Sequence, residues 1–280
     1  MTAKTEVVQG RSGWSGGPGF GGSADDKVNT VLLAFRVLEH LVQVGGSVGV
    51  TETALRLGET KTRLFRTLRT LASAGYVAQE SSGRYAATSR VYLMGQAYAG
   101  HHSLVEVARP VLEALRDRSR QTATIGEVEP EGVRILFQVR AASAIEITTP
   151  VGALMAFDAS AQGLIALAFG PAALLERLRG EQLASVPERS PVSLEALEQR
   201  VVAVRRQGWA VAPGSMLAGV NALAFPIMND ADELIGTVGI VGSIDHVPPS
   251  PSPEQLAAVR DAAGEIASAM RVRRGAHPWR

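Results

Sequence analysis

The sequence predicts an α+β protein in two folded parts: a small module of three helices closed by a hairpin, and a larger domain in which helices flank an antiparallel sheet. Three observations lead there. Apolar residues recur at helical spacing early in the chain, glycines end the helical runs, and the later strand and helix patterns follow an order that excludes a simple βαβ repeat. With 280 residues and 46% hydrophobic content, the chain can bury more than one core.

Residues 1–26 contain the run GRSGWSGGPGFGG, too rich in Gly and too poor in aliphatic residues to offset the entropy of ordering, so a disordered tail is expected there. Gly17, Gly19 and Gly22 satisfy G-x-G-x-x-G and Gly13, Ser15 and Gly17 satisfy G-x-S-x-G, but neither has the flanking strand and helix its chemistry requires. A first helix follows over 28–44, with Val31, Leu32, Phe35, Leu38, Leu41 and Val42 on its pattern and Gly45-Gly46 as its stop. A second spans 51–57 before Gly58, and a third spans 60–74 before Gly75. Segments 76–79 and 84–87 bracket Glu80-Ser81-Ser82-Gly83 as a hairpin, which makes residues 27–88 a winged helix-turn-helix. Residues 89–102 read as a linking helix and 103–280 as the second domain. There, strands are expected at 122–128, 133–139, 145–149, 222–228 and 235–241, and helices at 105–120, 160–169, 172–179, 194–207 and 254–273. Ser252, Pro253 and Gln255 form a capping box at the start of the last helix.

Charge separates the two parts. Residues 27–100 carry nine Lys/Arg against four Glu, whereas 101–280 carry 17 basic and 20 acidic residues, the pattern expected when only the first part meets a polyanion. No apolar run approaches the roughly 18 residues of a bilayer span, no secretory leader opens the chain, and there are no cysteines, so a cytoplasmic protein without disulfides or thiolate metal sites is expected.

On a wheel of 100° per residue, Leu64, Leu68, Leu71 and Ala72 form the buried stripe of the third helix, while Thr62, Arg63, Arg66, Arg69 and Thr70 face away. Four basic residues and no acid lie between Thr60 and Gln79, and a one-signed face implies that its counter-charge sits on a partner, here duplex DNA. Thr62, Arg63 and Arg66 are the expected base readers, with Lys61, Thr67 and Arg69 as further contacts. Arg84, beside Gly83, is placed to reach a phosphate.

The runs LGETKTRLFRTLRTLASAGYV and SGRYAATSRVYLMG resemble the DNA-binding half of the IclR family of bacterial transcription regulators. VGALMAFDASAQGLIALAF at 151–169, RRQGWAVAPGSMLAGVNALAFPI at 205–227 and the following GTVGIVG are similar to that family's effector domain. The resemblance implies a GAF-like sensor domain, a homodimer able to pair into a tetramer, a palindromic operator and repression of a catabolic operon. It also implies an effector site among Met155, Phe157, Asp158, Ala159, Ser160, Ala161, Ala212, Leu217, Gly219, Asn221, Ala222, Gly239 and Val241, with no cofactor and no metal. Independently of family, backbone N–H groups around Ala159, Ser160 and Ala161 at a helix start suit a carboxylate. Where relatives carry Pro-Leu-His, this chain has Ala156-Phe157-Asp158; Leu164 replaces a frequent Lys, and Ala212 to Ser215 replace acidic residues. Ala222, Gly239 and Val241 stand where some relatives place small polar groups, which points to an aromatic or largely apolar effector with one polar end.

Two other readings stand beside this one. Asp158, Ser160 and His246 would have to act as a hydrolytic set without a nucleophile elbow, and His101-His102 with Glu106 lack a third metal ligand. Alternatively, the second domain serves assembly alone.

Overall fold

The computed structural model describes residues 28–101, 104–141, 147–180 and 193–275. The tail expected over 1–26 lies outside them. The chain divides into two compact units, one within Gly19–His102 and the other within Ser103–Arg280.

In the first unit, α1 (Asn29–Val44), α2 (Val50–Leu57) and α3 (Lys61–Ser73) precede a hairpin of β1 (Val77–Gln79) and β2 (Tyr85–Ala87), and α4 (Ser89–His101) follows. Gly45 and Gly58 end α1 and α2 in the left-handed conformation, at φ 68° and 67°, where a side chain would be strained. Leu33, Val37 and Leu41 of α1 close with Leu64 and Leu68 of α3 into one core that also takes Val48, Val77 and Tyr85. Burying each such side chain favours folding by roughly 1.5–3 kcal/mol, so this small core holds the three helices in register. Val48 pairs with Tyr85 through two backbone bonds of 2.8 and 2.9 Å, tying the α1–α2 loop to the wing.

The second unit holds α5 (Leu104–Ser119), β3 (Thr122–Glu129), β4 (Gly132–Val139), β5 (Leu154–Met155), α6 (Ala161–Phe169), α7 (Ala173–Gly180), α8 (Leu194–Gln207), β6 (Ala210–Val211), β7 (Val220–Met228), β8 (Leu234–Ser243) and α9 (Pro253–Gly275). Its six strands run antiparallel in the order β5-β4-β3-β8-β7-β6. Strand side chains alternate between two cores. Ala123 and Ile125 of β3, Leu223, Phe225 and Ile227 of β7, and Val238 and Ile240 of β8 pack with α5 and α9. Ala224 on the opposite face, with Val133 and Ala210, packs with α6 and α8.

The capping box forms as its spacing requires: the Ser252 N–H donates to Gln255 Oε1 at 3.1 Å, and the Gln255 N–H donates to Ser252 Oγ at 3.3 Å. The strand expected at 145–149 does not extend through Ile147–Thr149, and residues 145–146 lie outside the described ones. Ile147 is instead held by Thr122 Oγ1, which donates to its carbonyl at 2.8 Å, and the edge of β4 is taken by Leu154–Met155 beyond Pro150. Two-residue strands such as β5 and β6 are too short to show a period.

His40 of α1 is only 6% exposed, and its Nε2 has no hydrogen-bond partner among the described residues. Burial, then the Arg56 cation, hold its pKa below the ordinary 6.5, against an opposing pull from Glu52. The unfolded chain therefore takes up this proton first as pH falls, so the contribution is nil above both pKa values and becomes destabilising once pH drops below about 6.5. Thermal melts at pH 7.5 and 5.5 should show a smaller acid-induced loss in His40→Leu than in wild type; an identical loss in both would remove His40 as the cause.

Candidate nucleic-acid interface and ligand cavity

Thr60 caps α3, its hydroxyl accepting from the Arg63 N–H at 3.3 Å, and the helix turns two distinct faces outward and inward. Lys61, Thr62, Phe65, Arg66, Arg69 and Thr70 are exposed, whereas Leu64, Thr67, Leu68 and Leu71 are buried. Thr67 thus departs from its expected place on the contact face. At i+3 from Leu64 and i−4 from Leu71 it joins the inward stripe, and its hydroxyl donates to the Arg63 carbonyl at 3.0 Å.

Arg63 also has a partner within the chain. Its guanidinium lies 3.0 Å from Glu59, one residue before the cap, and Glu59 is in turn 3.9 Å from Arg36. Lys61, Arg66 and Arg69 make no ion pair among the described residues, so the unmatched positive charge narrows to these three. Arg84 folds back from the wing: its Nε and Nη2 donate to the Ser47 carbonyl at 3.2 and 2.7 Å, and Nη2 lies 3.5 Å from Glu52. That places it as a strap between wing and α1–α2 loop, beside the Val48–Tyr85 bridge.

In the second unit, a cavity of about 80 Å³ lies on the sheet face that carries α6. Its floor follows from strand register. Thr124, Gly239 and Ala224 stand directly across β3, β8 and β7, and Val241 and Ala222 stand opposite one another in the row beside them, so small side chains leave space under the helix. Seven of the thirteen candidate residues line it: Met155, Ser160, Ala161, Leu217, Ala222, Gly239 and Val241.

The other six do not. Phe157 is packed in the core formed by α6 and α8, and Ala159 is buried. The Asp158 carbonyl accepts from Arg200 Nη1 at 3.2 Å; burial lowers the Arg200 pKa, and Asp158 opposes that shift. Asn221, fully buried, braces the loop instead: its Oδ1 accepts from the Ala212 and Ala222 N–H groups at 3.1 and 2.8 Å, and its Nδ2 donates to the Val247 carbonyl at 2.8 Å. Ala212 is buried in that brace, and Gly219, at φ 76°, accepts from the Ile244 N–H. Sequence reasoning missed Thr124, Gln162 and Met216, which do line the cavity. A polar Thr at an inward position of an otherwise apolar strand was the available signal. Gln162 Nε2 donates to Thr124 Oγ1 and Thr124 Oγ1 to the Gly239 carbonyl, each at a long 3.4 Å.

Ser160 is the N-cap of α6. Its Oγ accepts from the Gly163 N–H at 2.9 Å and donates to the Ala156 carbonyl at 2.8 Å, while the Ala161 and Gln162 N–H groups make no hydrogen bond among the described residues. Gly163 is required by this contact: a Cβ there would stand 2.2 Å from the Ala156 carbonyl oxygen. A helix start with two free donors beside an apolar cavity is an anion-accepting arrangement.

Residues 30–81 match the IclR helix-turn-helix domain, and residues 96–268 match the C-terminal domain of the bacterial transcriptional regulator IclR. The chain belongs to the IclR family. It is 30% identical to the glycerol operon regulatory protein of Streptomyces griseus over 78% of this chain and 87% of the relative. It is 24% identical to the transcriptional repressor IclR of Escherichia coli K12 over 87% of this chain and 90% of the relative. Among solved structures, an IclR homologue from Microbacterium hydrocarbonoxydans complexed with 4-hydroxybenzoate superposes with a TM-score of 0.74 at 21% identity, covering 87% of this chain and 99% of that one.

This IclR-family chain is therefore a transcriptional regulator, and its families and relatives are not enzymes. The geometry agrees: Ser160 Oγ is committed on both sides, and His246 Nδ1 lies 3.0 Å from Ser243 Oγ rather than at Ser160. Among the described residues no group of acids and histidines could hold a metal, and no helix is long and apolar enough to cross a membrane. His102 lies outside those residues.

Ser160→Ala removes the cap of α6 and its tie to Ala156. The expected cost is about 1 kcal/mol of unfolding free energy in a urea titration. An unchanged midpoint would show that α6 holds without its cap.

Proposed function

We propose that this regulator binds operator DNA through α3 and that a largely apolar, aromatic carboxylate in the α6 cavity changes its affinity for that DNA. The cavity carries the reading: its lining is mostly apolar, and its polar residues are Ser160 and Gln162 at the start of α6, Thr124 beside Gln162, and Thr148 and Thr149. An aromatic ring would lie over Ala222, Gly239 and Val241 with its carboxylate at the Ala161 and Gln162 N–H groups. The cavity of about 80 Å³ is smaller than the roughly 150 Å³ that accommodates benzene in an apolar protein interior, so binding requires some opening. Met216, Leu217 and Leu154, partly exposed around it, are the side chains that would move. The 4-hydroxybenzoate held by the Microbacterium homologue is of this chemical class. The glycerol operon regulators would suggest a polyol, which this lining serves poorly.

Thr62, Arg66 and Arg69 would meet the duplex, with Lys61 and the wing on its phosphates and Arg63 joining by releasing Glu59. A homodimer is favoured by the apolar side chains that α1 and α4 leave exposed, among them Val31, Phe35, Tyr92, Leu93 and Tyr98. Two α3 helices would then address half-sites of a palindromic operator, in cytoplasm, repressing a catabolic operon.

Calorimetric titration with benzoate, 4-hydroxybenzoate, glyoxylate, pyruvate and glycerol tests the effector class. Selective binding of an aromatic acid that also shifts a gel-shift midpoint is expected; selective binding of a small acid or polyol would end the aromatic reading. Binding without any change in operator affinity would favour a second domain that does not regulate. Arg66→Ala should lose roughly 1–3 kcal/mol on the specific duplex and little on scrambled DNA. Equal losses on both would remove Arg66 from base readout.

A further inference from the structure

We propose that Phe65 reads thymine: its ring meets the C5-methyl group of one T·A pair in each half-site, next to the pair addressed by Arg66. The inference rests on the reading of α3 as the groove-entering helix and adds a residue that charge and hydrogen-bonding arguments pass over.

Phe65 is 43% exposed in the middle of α3, and it takes no part in the core that Leu64, Leu68 and Leu71 share with α1. At 100° per residue it stands 40° from Arg69, four positions later, and 60° from both exposed Thr62 and buried Leu68, so it sits at the edge of the outward arc, and its exposure places it on that side. Arg69 leans over it, the guanidinium carbon 6.0 Å from the ring centroid. Thr62, one turn before the ring, is exposed as well, and no acid occurs on α3. An apolar ring can neither satisfy a phosphate nor exchange hydrogen bonds with a base edge. The one apolar group that a base pair displays in the major groove is the thymine methyl, and phenylalanine is among the side chains suited to it. Charge complementarity brings the duplex to this face through Lys61, Arg66 and Arg69, and the ring adds selectivity among the sequences those cations would otherwise accept alike.

The test begins with a duplex selected by the full-length protein from a random pool. Each thymine is then replaced singly by deoxyuridine, which deletes the methyl and preserves base pairing. Wild type should lose about fourfold in affinity at one position per half-site, the equivalent of about 0.8 kcal/mol for one methyl group. Phe65→Ala should bind the parent duplex more weakly and show no loss at that position, and Phe65→Leu should retain part of the effect. Circular dichroism melts establish that the variants fold. A selected duplex on which wild type and Phe65→Ala respond alike to every deoxyuridine overturns the role of Phe65 alone. So does a change of oligomeric state in Phe65→Ala with no methyl-dependent loss in wild type, which would place the ring in a protein contact. Failure of the wild-type protein to select any duplex would instead remove the DNA reading on which the inference stands.

Discussion

Helix α6 is buried at eight of its nine residues, so its position is set by what lies beneath it. A buried helix can approach a sheet only where the facing side chains are small, and here they are Thr124, Gly239 and Ala224 in one cross-strand row. Gly239 is tightly held, since a Cβ would stand 2.6 Å from the Leu223 carbonyl oxygen. The same small row that admits α6 leaves the space at its N-terminus, where Ser160 closes one donor and leaves two open. Packing and binding capacity thus have one cause. The lining is apolar because it is the inner face of a sheet, and its polar end is the unsatisfied start of a helix.

Helix α3 shows a different balance. Its inward stripe is fixed by contacts with α1, and its outward arc is held by electrostatics weak enough to be exchanged. The Arg63–Glu59 pair is half in solvent, its Arg 41% and its Glu 14% exposed, so the arginine side is open to exchange while the carboxylate is largely covered. A phosphate or guanine that took that guanidinium would leave Glu59 with Arg36 at 3.9 Å, so the pair orders Arg63 in the free protein and its exchange carries the cost of that carboxylate. Thr67 has no such freedom, being buried with its hydroxyl engaged inside the helix.

What could be read from the sequence follows the strength of local signals. The helices of the first unit were legible because a 3.6-residue apolar period met a glycine stop at Gly45 and Gly58, and the Ser252–Gln255 box declared the start of α9. Residues 147–149 misled because Ile-Thr-Thr favours a strand by propensity, whereas a strand also needs a ladder partner, and the one β4 takes on that side is Leu154–Met155 at Val133 and Arg134. Phe157, before α6, and Asn221, at the start of β7, lie near the cavity without lining it, one in the α6–α8 core and the other in a brace on Val247. Position along a chain identifies a loop near a site. Which side chains enter it is decided by packing that spans distant segments.

Regulation requires that the two units communicate, and the covalent route between them is α4. Its start is fastened to the end of α3: Thr88 Oγ1 donates to the Gly75 carbonyl at 2.7 Å, Arg90 Nη1 donates to the Ala74 carbonyl at 3.0 Å, and the Arg90 guanidinium carbon lies 5.0 Å from the Tyr76 ring centroid. Those carbonyls belong to the two residues that directly follow α3 and whose N–H groups cap it, so a tilt of α4 at its base would pull on the end of the helix that carries Arg66 and Arg69. An effector alters operator affinity only if it binds the two DNA-binding states unequally, by a factor equal to the one it imposes on DNA. The clamp supplies a mechanical reason why states that differ in the direction of α4 would also differ in the placement of α3. On the proposed reading, a junction fastened in this way would pass a rotation of α4 on to Arg66 and Arg69, where an unfastened one would absorb it.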